Sequence, residues 1–237
     1  MRWAFATDTG RVRPNNEDSL LVRPDLGLFA VADGMGGHRA GQVASQEALK
    51  SLEKSVEKRL QSGENHDSAL LEAMKEANAF VYEMSSRVPG CSGMGTTVTA
   101  ALIGGACGYV AQVGDSRAYL LGPAGINLIT EDHSFVWELV KKGGLTEEEA
   151  MCHPRRNVLT RALGIQPELA VDLYRVDLLP GHILLLCTDG LTEYLRAGDI
   201  LSIVKNAGEV EEAVKALIDQ ALRSGGADNV SVILIKI

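Results

Sequence analysis

The stretch "LGLFAVADGMGGHRAG", Leu26–Gly41, holds the pattern that organises the whole chain. An apolar run, Leu28–Ala32, stops at Asp33, and Gly34, Gly36 and Gly37 follow with only Met35 between them. Residues of helical period begin directly afterwards. A strand, a carboxylate and a glycine turn fit two chemistries: a loop that cradles a phosphate, or a carboxylate placed to hold a metal. The turn is neither GxxxxGK(S/T) nor GxGxxG, and no lysine follows to reach a phosphate, so the reading leans towards metal. Asp-Gly is also an ordinary turn signal, and one such aspartate decides little.

The pattern recurs. An apolar run ends at Asp115 in "YVAQVGDSR" and at Asp189 in "ILLLCTDG". In "GGADNVSVILIKI" the order reverses, with Asp228 just before the last strand, and "RPNNEDS" sets Glu17 and Asp18 just before "SLLV". Five segments therefore put carboxylates at strand ends. If the sheets gather those ends, the acids repel: two carboxylates about 4 Å apart cost about 4 kcal/mol at an effective dielectric of 20. Protonation or a divalent cation relieves this. With oxygen ligands and no His or Cys among them, the fitting ions are Mg²⁺ or Mn²⁺.

The 237 residues are 46% hydrophobic, enough for one good core, and no linker, low-complexity run or repeat divides them, which predicts a single domain over 1–237. The net charge of −8, with Lys and Arg scattered, argues against a nucleic-acid partner. No apolar run is long enough to span a membrane, and no charged segment followed by an apolar one opens the chain. Cys91, Cys107, Cys152 and Cys187 are far apart and make no CxxC pair, which reads as structural thiols in a reduced cytoplasmic protein.

Strand character marks Trp3–Ala6, Ser19–Val22, Leu28–Ala32, Thr96–Ile103, Cys107–Val113, Arg117–Leu121, Ile183–Cys187 and Val230–Ile237. Helical period marks Gln42–Leu60, Asp67–Arg87 and Glu209–Arg223. Strands come in hairpin-like groups and helices as a pair and a late single, so the class is α+β: antiparallel sheets with helices packed outside them. One polar insertion, His133–Gly164, has a short helix at Glu147–Met151, with Thr146 and Glu149 at capping-box spacing. Its Lys141, Lys142, Arg155, Arg156 and Arg161 stand against an acidic background, the pattern of a surface flap that attracts a phosphopeptide.

Eight segments in order resemble the bacterial branch of the metal-dependent, protein phosphatase 2C-like serine/threonine phosphatases: "TDTGRVRPNNEDS", "VADGMGGHRAGQVAS", "GMGTTVTAAL", "VGDSRAYL", "EDHSFVWELVKKG", "HPRRNVLTRALG", "LLLCTDGLTE" and "GGADNVSVILIKI". The resemblance covers essentially the whole chain. It implies a four-layer αββα sandwich with a flap insertion near 133–164 and a metal cluster at one edge. In that arrangement Asp33 bridges two metals, the Gly34 carbonyl completes one site, and Asp189 and Asp228 hold the first metal. Glu17 serves the second largely through water, with Asp18 supporting it; Asp115 and Asp189 bind a third, weaker ion. Asn229 orients Asp228, and Arg13 grips the substrate phosphate. A metal-bridging water attacks phosphorus, with Mn²⁺ or Mg²⁺ as cofactor.

Many eukaryotic members carry a proton-donating His where Met35 stands, and Met cannot donate. His38 is nearby and typical of the bacterial branch, either as the acid or as a support for the loop. His66, His133, His153 and His182 read as structural or surface residues. The resemblance implies phosphoproteins as substrates, a bacterial Ser/Thr kinase as the opposing partner, and a monomer. A dead phosphoprotein-binding module on the same fold would lack a metal carboxylate, and none is lost. A nucleotide-binding regulator would bind ATP without phosphatase activity. A small-molecule phosphatase would use the same core chemistry and differ only in substrate.

Overall fold

A strand covered on both faces needs apolar side chains on both, and three segments of this chain supply them. β3 (Leu28–Met35) sends Leu28, Ala30 and Ala32 to one side and Phe29 and Val31 to the other. The computed structural model describes Met1–Gly36, Ala40–Gly105 and Cys107–Ile237. Within it, β1 (Arg2–Asp8) and β2 (Asp18–Arg23) precede β3, and helices α1 (Ala40–Gln61) and α2 (His66–Arg87) follow. Next come β4 (Gly95–Thr96), β5 (Val98–Gly104), β6 (Cys107–Val113), β7 (Arg117–Gly122) and β8 (Gly125–Leu128). Helices α3 (Phe135–Lys141) and α4 (Glu147–Cys152) lead to β9 (Asp172–Asp177) and β10 (Ile183–Cys187). Finally α5 (Asp189–Thr192), α6 (Ala197–Asn206) and α7 (Val210–Arg223) precede β11 (Val230–Lys236).

Among the described residues the strands form two antiparallel sheets, ordered β1-β11-β10-β7-β8 and β2-β3-β5-β6-β9, with β4 paired to β3. Three buried clusters stack between four layers. Leu52, Leu70, Met74 and Val56 of α1 and α2 pack on Leu28, Ala100 and Leu102. Phe29, Val31, Leu184, Leu186, Ile233 and Ile235 fill the space between the sheets. Leu217, Val214 and Ile200 of α7 and α6 cover Leu185, Val232 and Leu234. This is the αββα sandwich that the resemblance implies, and the expected antiparallel α+β class.

Several boundaries differ from those predicted. β3 continues through Asp33 and Gly34 to Met35, because β4 pairs with its end, so Asp33 lies within the strand. The expected strand Thr96–Ile103 is divided at Thr97 into β4 and β5. β8 and β9 were not expected: they are half-exposed edge strands, so their sequences carry no continuous apolar run. The unpredicted α6 buries only Ile200 and Val204, too few residues to show a period.

The insertion stands between β8 and β9. Its predicted short helix is α4, where Thr146 Oγ1 accepts the Glu149 N–H and Glu149 Oε2 accepts the Thr146 N–H at 2.8 Å, a complete capping box. A Ser134–Leu159 bridge closes the insertion on itself, and a Thr96–Leu163 bridge ties it to β4. Asn78 of α2, 1% exposed, anchors its end: the amide donates to the Gln166 and Pro167 carbonyls at 2.9 and 3.2 Å, and Oδ1 accepts the Gly164 N–H at 2.8 Å.

Asn78→Ala removes all three bonds and leaves the buried Gly164 N–H unpaired, which costs about 1–3 kcal/mol. For a chain of this size thermal unfolding then shifts down by about 2–4 °C per kcal/mol. An unchanged Tm in the variant contradicts the anchoring role.

Candidate metal centre

Five chain segments meet at one edge of the sandwich, around a cleft of about 470 Å³. Arg13, Glu17, Asp33, Gly34, Asp115, Asp189, Asp228 and Asn229 line it, so the sequence-predicted residues converge on one place. Asp33 and Gly34 arrive on β3, Asp115 on the β6–β7 turn, Asp189 at the first residue of α5 and Asp228 just before β11. Asp18 opens β2 directly opposite Asp33 but does not line the cleft. His38 lies outside the described residues.

Backbone contacts fix the geometry. Gly34 and Gly41 approach so closely that a Cβ on Gly34 would enter the Gly41 carbonyl, and one on Gly41 would meet the Glu17 carboxylate. The first turn of α1 is thereby held against β3, with Glu17 at the helix end that favours negative charge. Asp33 is clamped by three bonds: its N–H donates to Thr97 Oγ1 at 2.9 Å, and its carbonyl accepts from Thr96 Oγ1 and the Thr97 N–H, each at 2.8 Å.

Asn229, 5% exposed, orders the loop that carries Arg13 and Glu17. Its Oδ1 accepts the Glu17 N–H at 2.8 Å, while Nδ2 donates to the Thr9 and Asn15 carbonyls at 2.8 and 3.0 Å. The expected hold on Asp228 comes from the Asn229 backbone, whose N–H donates to Asp228 Oδ1 at 2.8 Å. The other oxygen of Asp228 accepts from Arg13 Nη2 at 2.7 Å, which turns Arg13 towards the cleft.

Burial, followed by repulsion from Asp18, Asp189, Asp115 and Asp228, holds the Asp33 carboxyl well above the usual carboxylate range. Asp115 is raised in the same way, by burial and then by Asp189 and Asp132. Asp189 is pushed up to about 6 by burial and by Asp228. Asp18 is pushed up to about 7 by burial, although hydroxyl bonds from Ser231 and Thr188 oppose the shift. Those bonds, at 2.6 and 2.9 Å, tie Asp18 to the other sheet, so it buttresses the cleft from behind.

The donor set fits hard divalent cations: it is all oxygen, and Asp189 Oδ1 is buried with no hydrogen-bond partner among the described residues. The acids ring the cleft without closing on one point; no three His, Cys, Asp or Glu side chains among the described residues form a finished cage.

Sequence reasoning missed Thr97, Asn157 and Leu159 as cleft residues, although all three stand in the quoted segments. Met35 also lines the cleft. The flap cations are already engaged. Arg156 pairs with Glu193 at 2.7 Å, Arg161 with Asp172 at 2.7 Å, Lys142 with Glu138 at 3.8 Å and Lys141 with Glu131. Arg155 sits 5.6 Å over the Phe135 ring.

Residues 2–137 match the family profile Protein phosphatase 2C, and residues 144–237 match Stage II sporulation protein E (SpoIIE). The chain is 38% identical over its whole length to the serine/threonine phosphatase stp of Listeria monocytogenes, covering 96% of that protein. It is 39% identical to the serine/threonine protein phosphatase PstP of Mycobacterium tuberculosis, again over its whole length but covering 45% of that longer protein. The crystal structure of the Mycobacterium tuberculosis phosphatase PstP/Ppp superposes with a TM-score of 0.92 at 38% identity, covering all of this chain and 98% of that one. The catalytic domain of PstP solved with two manganese ions superposes with a TM-score of 0.87 at 37% identity, covering 98% of this chain and 96% of that one. With sequence, fold and acid-lined cleft in agreement, the chain belongs to the protein phosphatase 2C family.

Proposed function

We propose that the cleft is the catalytic site of a metal-dependent serine/threonine protein phosphatase, and that residues 1–237 make one catalytic domain with a flap at about 133–164. The observation that carries this reading is the convergence of Asp33, Asp189 and Asp228 with Arg13 on one cleft, where the buried Asp189 Oδ1 has no hydrogen-bond partner among the described residues. When bound, two Mn²⁺ or Mg²⁺ ions supply Lewis acidity and a water of lowered pKa to attack phosphorus in line.

The chain's own residues divide the remaining work. Asp33, Asp189 and Asp228 would hold one ion; Asp33, the Gly34 carbonyl and Glu17 would hold the other; Asp115 with Asp189 would hold a weaker third. Arg13 spends Nη2 on Asp228, which leaves Nε and Nη1 for phosphoryl oxygens and for the charge that builds up in the transition state. Met35 lines the cleft wall without a proton to give, so it cannot protonate the leaving serine or threonine oxygen. Because four of the five flap cations are paired with carboxylates, the flap acts mainly through shape, with Asn157 and Leu159 on the cleft wall.

Phosphoproteins are the substrates, and by likeness to the bacterial relatives a Ser/Thr kinase would be the opposing partner. The protein would work as a monomer in the cytoplasm, in keeping with four free thiols. Among the described residues no helix is long and apolar enough to cross a membrane. The defining experiment is turnover of a phosphothreonine peptide with Mn²⁺, set beside a phosphotyrosine peptide and a panel of sugar phosphates. Preference for phosphothreonine and loss in EDTA are expected; equal turnover of the sugar phosphates would make it a small-molecule phosphatase.

Asp33→Ala and Asp189→Ala each nearly abolish Mn²⁺-dependent turnover while circular dichroism shows the fold intact, since each removes a direct ligand and relieves repulsion in the metal-free protein. Near wild-type rates in either variant contradict the assignment. Arg13→Ala loses a charge-assisted bond of about 1.5–3 kcal/mol, so kcat/KM falls by about ten- to a hundredfold. A kcat/KM equal to wild type removes Arg13 from the site.

Asp18 and Asp189 titrate higher in the folded protein, at about 7 and about 6, than in the unfolded chain. The folded state therefore binds more protons between about pH 4 and pH 7, and its stability falls as pH rises through that window. Thermal unfolding in EDTA should give a higher Tm near pH 5 than near pH 8. Saturating Mn²⁺ should flatten or reverse the slope; a Tm in EDTA that rises across the window refutes the raised values.

A further inference from the structure

His133 opens the flap and is 2% exposed, yet both of its ring nitrogens are engaged. Nδ1 accepts the Gly114 N–H at 3.1 Å, and Nε2 lies 3.2 Å from Asp172 Oδ2. A backbone N–H cannot give up its role as donor, so Nδ1 carries the lone pair and Nε2–H donates to Asp172. The ring is held as one neutral tautomer, in accord with burial, which lowers its pKa. The His133 backbone N–H also donates to the Gly114 carbonyl at 2.9 Å, so one residue grips both polar groups of Gly114.

Gly114 immediately precedes Asp115 on the β6–β7 turn. It sits at φ +107°, where a Cβ would run into Thr97 Cγ2, so its conformation is set from outside. Buried Gln112 steadies the same turn, donating to the Gly114 and Ser116 carbonyls at 3.0 and 3.2 Å. On its other side His133 belongs to the flap: its carbonyl accepts the Thr160 N–H at 2.9 Å, next to the cleft residue Leu159. Asp172, which receives Nε2–H, also holds Arg161 of the flap at 2.7 Å.

We propose that His133 is a positioning residue: its Nδ1 fixes Gly114, and so the Asp115 carboxylate, while its backbone and Asp172 tie the flap to that same turn. The inference rests on the reading of Asp115 as a ligand of the weaker metal. Partners that orient a ligand without touching the metal typically contribute about ten- to a hundredfold in metal affinity or activity.

Two substitutions separate the ring's contacts. His133→Asn places Oδ1 where Nδ1 stands and keeps the acceptor for Gly114. His133→Gln places an amide near Nε2 and keeps the donor to Asp172 but loses the acceptor. Mn²⁺ is titrated by calorimetry into metal-stripped protein and fitted for the weakest class of sites, with Asp115→Asn as reference. His133→Gln should weaken that class by about ten- to a hundredfold, as Asp115→Asn does, and His133→Asn should restore most of the binding. Equal loss in both His133 variants, or none in His133→Gln while Asp115→Asn loses the ion, overturns the positioning role. Unchanged binding in Asp115→Asn overturns the metal assignment instead. Imidazole ¹⁵N shifts of the wild-type protein require no variant to fold: a bare Nδ1 with protonated Nε2 is expected, and a protonated Nδ1 overturns the proposal.

Discussion

Asp18 and Asp33 face each other across the β2–β3 ladder, a like-charge pair that a sheet ordinarily disfavours. Much of the molecule is arranged around that repulsion. Thr188 and Ser231 of the other sheet reach across to one oxygen of Asp18, while Thr96 and Thr97 fix the backbone at Asp33. Asp115, Asp189 and Asp228 add further negative charge from three more segments. The charge is tolerated by protonation or by cations, and competition between the two links metal binding to pH. The same cluster would lower stability in the metal-free protein and would attract hard divalent ions.

The cluster is held by short polar side chains and by missing ones. Gly34 and Gly41 let the first turn of α1 touch the end of β3, and no larger residue fits. Asn229 uses its whole amide to hold the loop that carries Arg13 and Glu17, bonding Glu17, Thr9 and Asn15 at once. Arg13 is oriented by Asp228, which it partly neutralises. His133 does for Asp115 and the flap what Asn229 does for Glu17. In each case a buried polar group joins two loops that the hydrophobic core alone would leave free to shift.

Much of this was legible in the residues. The doubly buried strands β3, β10 and β11 show through the apolar runs Leu28–Ala32, Ile183–Cys187 and Val232–Ile235, and α1, α2 and α7 show a helical period. The capping box of α4 could be read from two residues three apart. The recurrence of an acid at the end of an apolar run marked Asp33, Asp115 and Asp189, and eight ordered segments supplied the family.

What the sequence alone determined, then, is what local period and spacing encode: which segments bury two faces, where acids stand relative to them, and which chemistry those acids suit. Only the tertiary structure decided that β8 and β9 are strands at all, since an edge strand gains its order from a neighbour and needs no apolar pattern of its own. Only it placed Asp18 behind the cleft, held by the Thr188 and Ser231 hydroxyls, and Asp33 in the cleft lining, because those bonds join segments far apart in the chain. Arg13 meets Asp228 across 215 residues and His133 meets Asp172 across 39. Such bonds depend on where two distant backbones come to lie, and no periodicity in the chain records that.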